Sequence, residues 1–347
     1  MNESFTLEKV ILPVGISFYI FQSMTYVIDI YLRKIKPETN IVNYFTYISF
    51  FPQLVAGPIE RASSLLPQFN KLHNITKRNL YSGLKLVIIG LFLKVVIADN
   101  LGVYVDRIFK TYEDLNGGSL LLGAISFAIQ IYGDFCGYSL IAIGVAKIMG
   151  FVLMENFDTP YFSTSIQQFW KRWHISLSSF FKDYIYIPLG GSRVQNKYLA
   201  ARNILVTFFV SGIWHGANWT FILWGSIHGF LLVIQRNINV KIPKILSWIL
   251  TISVVLLLWV LFRSETIPDA FIYLSKIFRE FDIPDIGKGT MIYFFYFLVV
   301  DLLLSYYKKI DEIWFGKYFF QNYILFFMLV LVLGSNSANS NFIYFEF

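Results

Sequence analysis

From Asn203 to Gln235 the chain runs for 33 residues without a formal charge. A soluble domain collects its charged side chains on its surface, so a run of this length points into a membrane. As one α-helix it would extend about 50 Å, too long for one straight crossing of a hydrocarbon core about 30 Å thick. Two segments are therefore expected, with a break near Gly216 to Asn218. Further uncharged runs lie at Ile11 to Ile28, Leu115 to Gly133, Ile245 to Phe262 and Tyr318 to Phe345. Weaker spans, interrupted by a Lys or Asp, lie at Leu84 to Ala98, Phe135 to Phe151 and Gly289 to Tyr307. The pattern predicts an all-α, polytopic integral membrane protein with roughly seven to nine membrane segments.

Composition agrees. Hydrophobic residues make up 56% and charged residues 15% of the 347 positions, with a mean hydropathy of +0.57. These figures exclude a soluble enzyme, a disordered chain, collagen, a coiled coil and a disulfide scaffold. The single cysteine, Cys136, has no intramolecular partner. The N-terminus lacks the basic start of a signal peptide. With no linker, low-complexity tract or internal repeat, residues 1–347 read as one membrane domain.

Ile41 to Ile59 is uncharged, but Pro52, Gly57 and Pro58 break its second half. It reads as a helix followed by a re-entrant or interfacial turn, which membrane depth tolerates only inside protein or beside a watery cavity. Two connections are basic. Residues 60–80 carry Arg61, Lys71, Lys77 and Arg78 against Glu60, and residues 171–202 carry Lys171, Arg172, Lys182, Arg193, Lys197 and Arg202 against Asp183. The positive-inside rule places both on the cytoplasmic face. Their charge either sets topology alone or also attracts an anionic donor substrate. Ser165 to Phe181 has helical periodicity, with Trp170, Trp173, His174, Leu177, Phe180 and Phe181 on one face and Lys171, Ser178 and Lys182 opposite. That predicts a helix lying in the membrane interface.

The signatures of soluble catalysts are missing. There is no P-loop, GxGxxG, HExxH or GxSxG, and the four histidines lack metal-ligand spacing, so no metal is expected. Ionisable groups within membrane segments point to function by default. His215 lies inside the uncharged run in SGIWHGANWTFILWG, with Gly212 and Gly216 beside it. It is either a core histidine satisfied by a backbone carbonyl or a general base, since imidazole titrates near neutral pH. His174, in FWKRWHISLS, reads from spacing alone as an interface anchor. His228 follows His215 by 13 residues, about 220° around a continuous helix, and reads as a packing residue. His73, in a basic loop, reads as solvated. Asp134 reads as the partner of a lysine on another helix, and Cys136 as a small apolar filler.

SGIWHGANWTFILWG, preceded by QQFWKRWHISLSSFFKDYIYIPLGGSR, resembles the membrane-bound O-acyltransferases and, more closely, their bacterial alginate O-acetyltransferase-like branch. LPVGISFYIFQSMTYVIDIY, FFPQLVAGPIERASSLLPQF and the terminal NFIYFEF are similar to the same branch, so the resemblance covers essentially the whole chain. It implies a ring of helices around a central tunnel with a histidine at its constriction. It also implies transfer of an acyl group, usually acetyl, to hydroxyls of an extracytoplasmic polysaccharide at the bacterial inner membrane, beside a periplasmic acetyltransferase partner. His215 matches the family's catalytic histidine and His174 the second histidine of the branch motif. Trp214, Asn218, Arg172, Lys171 and Asp183 are carried as substrate-binding candidates. Acetyl-CoA or another acyl thioester is the expected donor; no bound cofactor and no nucleic acid partner are expected. Members usually have further helices before the LPVGISFY segment, so the resemblance implies that N-terminal helices are missing here. D-alanyl transfer to teichoic acid by a related branch, or a non-catalytic or transport subunit, are the competing readings.

Overall fold

The computed structural model describes residues 15–54, 57–237, 242–284, 288–307 and 319–335. Every regular element among them is helical. The order begins with α1 (Ile16–Tyr31), α2 (Ile41–Ile48) and α3 (Ala62–Phe69). Next, α4 (Lys77–Leu91) passes through a wide π turn at Phe92–Ala98 into α5 (Asp99–Lys110), and α6 (Gly117–Ile148) returns beside it. The short α7 (Ile166–Arg172) and α8 (Ile175–Phe181) precede a hairpin of α9 (Lys197–His215) and α10 (Trp219–Asn237). Then come α11 (Lys244–Arg263), α12 (Ile267–Arg279), α13 (Met291–Tyr307) and α14 (Phe319–Gly334). Lys77–Lys110, Gly117–Ile148 and Lys244–Arg263 are long and apolar enough to cross a membrane, and Met291–Ser305 and Asn322–Gly334 are shorter apolar helices. The chain is an all-α polytopic membrane protein. The ends of the Ile11–Ile28 and Tyr318–Phe345 runs, and the NFIYFEF segment, lie outside the described residues.

The expected break in the uncharged run falls where the sequence places it, since α9 ends at His215 and α10 begins at Trp219. Two other boundaries differ. The spans expected at Leu115–Gly133 and Phe135–Phe151 are one 32-residue helix, α6. Asp134 does not interrupt it, because Lys94 Nζ lies 2.8 Å from Asp134 Oδ1 and 2.6 Å from Asp99 Oδ1. The π turn carries Lys94 between those two acids. A buried charge matched in this way no longer favours a helix end. Gly137 and Gly144 of α6 are contact points with α4. A Cβ on Gly83 would sit 2.6 Å from the Gly144 carbonyl oxygen, and one on Gly90 would sit 2.6 Å from that of Gly137. The seven-residue spacing repeats the contact after two turns, so two backbones meet with no side chain between them.

The second difference concerns Ser165–Phe181. It is two helices, broken at Trp173 and His174. Periodicity misses this break because both halves keep their aromatic side inward: Phe169, Trp173, Leu177 and Phe180 are all buried. The largest apolar cluster joins this region to α6, α10 and α11 through Phe127, Trp173, Trp224, Trp259 and Phe262.

Candidate active site

His174 adopts a left-handed backbone conformation, φ 44° and ψ 56°. A non-glycine residue held there stores about 1–3 kcal/mol of strain, and such strain concentrates at functional sites. The surroundings that impose it come from residues 156–159. The Asp158 N–H donates to the Arg172 carbonyl and the Ile175 N–H to the Asn156 carbonyl, both at 2.9 Å. These two bonds clasp the segment on either side of His174. Thr159, opposite, is also left-handed at φ 42°.

Asn156 does more than clasp the backbone. Its Oδ1 accepts the Ser176 N–H at 3.2 Å and the Ser176 hydroxyl at 2.9 Å, and it lies 3.1 Å from His174 Nδ1. Its Nδ2 donates to Ser139 Oγ on α6 at 3.1 Å. His174 and Asn156 are each 1% exposed. Around the imidazole stand Phe18 from α1 at 6.5 Å, Phe135 from α6 at 4.5 Å, Phe157 at 6.5 Å and Trp214 from α9 at 6.3 Å.

Trp214 joins the two histidines expected at the site. Its ring centroid lies 4.8 Å from that of His215, and its indole stacks on Phe21 of α1 at 5.4 Å. His215 closes α9 and is only partly exposed, with Trp224 of α10 at 5.0 Å and Phe262 of α11 at 5.3 Å, both edge-on. Both imidazoles therefore neighbour the same indole. The helix pair that places His215 is packed backbone to backbone. A Cβ on Gly212 would sit 2.6 Å from the Phe221 carbonyl oxygen, and one on Gly225 would collide with the carbonyl of Phe208. His228, which also packs on Trp224, accepts the Trp170 indole N–H at its Nδ1, 3.2 Å away. That bond accounts for it as a packing residue.

The other carried residues fall in different places. Asn218 donates to the Glu265 carbonyl at 2.8 Å and accepts the Thr220 N–H at 3.1 Å, so it caps α10 and ties it to the end of α11. Asp183 pairs with Arg61 at 3.3 Å. The Arg61 guanidinium also lies over the Tyr184 ring at 4.5 Å. This contact brings the two basic segments to one end of the molecule. Arg172 sits in the clasp, its guanidinium donating to the Thr159 carbonyl at 3.5 Å. Lys171 lines open space. With Lys182 and Arg236 it edges a cavity of about 710 Å³ between α7–α8 and α9–α10. Ser211 lines the inner wall of that cavity, one turn before His215 on the same helix face.

His73 corrects an expectation. It is not a solvated loop residue: Nδ1 lies 2.9 Å from the Gly150 carbonyl oxygen, Nε2 lies 2.7 Å from that of Gln68, and the ring packs on Phe151. A basic neighbourhood in sequence says nothing of the segment that folds over it. Gln68 pairs with both backbone groups of Val152, and the Glu60 carboxylate accepts the Met154 N–H. So α3 and its entry hold residues 150–154, and these deliver Asn156 to His174. Sequence reasoning named neither Asn156 nor the part played by Glu60 and Arg61. The signal available for the latter two was charge beside Gly57 and Pro58 in an otherwise uncharged stretch.

Comparison with known proteins identifies the family. The profile of the membrane-bound O-acyltransferase family matches residues 32–262, a span that holds both histidines. The probable alginate O-acetylase AlgI of Azotobacter vinelandii is 39% identical over 296 residues, covering 83% of this chain and 58% of that protein. The peptidoglycan O-acetyltransferase of Helicobacter pylori is 38% identical over 299 residues, 77% of this chain and 56% of that protein. The teichoic acid D-alanyltransferase of Streptococcus thermophilus is 29% identical over 233 residues, 64% and 56% of the two chains. The chain thus spans a little over half the length of these relatives. With the family profile matched over residues 32–262 and an all-helical architecture, the chain belongs to the membrane-bound O-acyltransferase family.

Proposed function

We propose that the protein transfers an acetyl group from a thioester donor, acetyl-CoA or an equivalent acyl carrier, to hydroxyls of an extracytoplasmic polysaccharide. The observation that carries this reading is the meeting of His174 and His215 around Trp214, one turn beyond a cavity edged by Lys171, Lys182 and Arg236. A donor phosphate would sit at that basic edge and its thioester would point inward toward Ser211. His215 takes the proton of the acceptor hydroxyl while the oxygen forms a bond to the thioester carbonyl carbon. The carbon–sulfur bond then breaks, and the leaving thiolate recovers the proton as a thiol. A positioned base of this kind supplies about 10²- to 10⁴-fold in rate. Alignment of two bound substrates away from water adds to it.

The names of the relatives at 38–39% identity, an alginate O-acetylase and a peptidoglycan O-acetyltransferase, weigh toward acetyl transfer to a glycan. The D-alanyltransferase is the more distant at 29%. The protein would act in the bacterial inner membrane with the donor on the cytoplasmic side and a periplasmic acetyltransferase completing delivery. The test is transfer of labelled acetyl from acetyl-CoA to polymer in membranes carrying wild type or His215→Ala. Loss of transfer with unchanged membrane insertion is expected. Retained transfer in the variant overturns the assignment of His215.

A further inference from the structure

Asn156 and His174 form a unit whose proton positions follow from geometry. A carboxamide is symmetrical enough that its oxygen and nitrogen are assigned from their partners. Here the Ser176 backbone N–H, which can only donate, lies 3.2 Å from the atom that must therefore be Oδ1. The same atom lies 3.1 Å from His174 Nδ1. An acceptor oxygen opposite a ring nitrogen requires that nitrogen to carry the hydrogen. Neutral His174 is then the Nδ1–H tautomer, and its Nε2 holds a lone pair. That nitrogen is buried and has no hydrogen-bond partner among the described residues. Leaving a buried polar atom unpaired costs about 1–3 kcal/mol. The cost is added to backbone strain at the same residue, so packing alone does not explain the arrangement.

We infer that Asn156 is a positioning residue that fixes His174 in the Nδ1–H form, so that Nε2 meets the substrate as a hydrogen-bond acceptor and never, in its neutral state, as a donor, His215 remaining the base. The inference deepens the proposed function and rests on it only for the identity of the substrate group, a hydroxyl of the acceptor. Phe18, Phe135, Phe157 and Trp214 face the imidazole from the elements packed on it, and His215 is the titratable neighbour that packs on the same indole. The Ser176 hydroxyl also lies 3.5 Å from Nδ1, but its hydrogen goes to Asn156 Oδ1 at 2.9 Å, so the carboxamide is the group that decides which nitrogen carries the hydrogen.

The test is ¹⁵N NMR of the full chain labelled at histidine, with the His174 signals assigned as those lost in His174→Gln. Wild type should show a protonated Nδ1 and an unprotonated Nε2. In Asn156→Leu the preference should be lost or reversed. Polymer acetylation should fall at least about 10²-fold in kcat, with the donor KM little changed. Asn156→Asp keeps an acceptor facing Nδ1 and Ser176, and the Ser139 hydroxyl can rotate to donate to it. It should retain the Nδ1–H form and raise the pH at which the His174 signal becomes imidazolium by about one unit or more, because a carboxylate favours the charged ring. A wild-type Nε2–H tautomer overturns the inference, as does an unchanged imidazolium midpoint in Asn156→Asp, which is informative even if Asn156→Leu fails to fold. Absence of acyl transfer by the wild type would sink the proposed function and leave the tautomer result standing.

Discussion

His174 and His215 both neighbour one indole, and the protein fixes them by different physics. His174 sits in a break between two helices, with its ring tied to Asn156 and its backbone clasped on both sides. His215 is the last residue of a long helix, with the edges of Trp224 and Phe262 against it and a glycine-paired hairpin behind it. Hydrogen bonds specify which atom faces the site, whereas packing specifies where a ring lies. The first histidine is thus sensitive to the polarity of its neighbours and the second to their volume.

The largest effect expected is at the pair itself. His215→Ala should remove the 10²- to 10⁴-fold contribution of a general base, and His174→Ala should also cost most of the activity. Residues that act as a unit are not additive, so the double variant should be little worse than the weaker single one. Multiplied losses in single-turnover acetylation would break the pairing and show that each histidine acts independently of the other.

Next in size is the volume around His215. Trp224 is 1% exposed and touches both His215 and His228. Trp224→Ala should lower stability by about 3–5 kcal/mol, the usual cost of emptying a large buried aromatic site. It should also reduce acetylation, while the His174 tautomer read by NMR stays as in wild type. A changed tautomer would show that the two histidines share one support. A smaller loss is expected for Gly212→Ala, whose new methyl meets the Phe221 carbonyl. Overpacking there should cost about 1–3 kcal/mol in thermal unfolding. Gly334→Ala, with open space around it, should cost nothing measurable.

The sequence made one of these histidines far easier to find than the other. His215 announces itself, because an uncharged run too long for one helix must break, and it breaks next to the histidine. The turn at Gly216 to Asn218 and the Asp134–lysine pair were legible for a similar reason: both follow from what a membrane demands of charge and length. His174 was visible as a residue of the family motif, yet its role was not visible from spacing. The break that defines it leaves the aromatic face continuous, and its partner Asn156 lies 18 residues upstream in a segment with no helical pattern. Asn218, carried as a substrate-binding candidate, has a structural task that spacing did not show: at the start of α10 it caps the backbone and holds the Glu265 carbonyl.

The support behind Asn156 gives the smallest effect and the one most specific to pH. Glu60, 1% exposed and next to Arg61, accepts the Met154 N–H two residues before Asn156. Burial raises its carboxyl from 4.5 to about 7, against the opposing pull of the Met154 N–H and of Arg61. An acid with a raised folded-state pKa binds its proton more tightly in the folded chain than in the unfolded one. It therefore contributes stability fully below about pH 4.5, and loses it as pH rises through about 7. Glu60→Gln keeps an oxygen for the Met154 N–H and removes the titration. The variant should match wild type near pH 5 and unfold a few °C higher near pH 8, on the scale of about 2–4 °C per kcal/mol. Because the segment it braces carries Asn156, the acid that destabilises the clasp at high pH should also loosen His174 there. Wild type and Glu60→Gln should then diverge in acetylation above pH 7 while agreeing below it. A constant ratio across that range would separate the brace from the histidine.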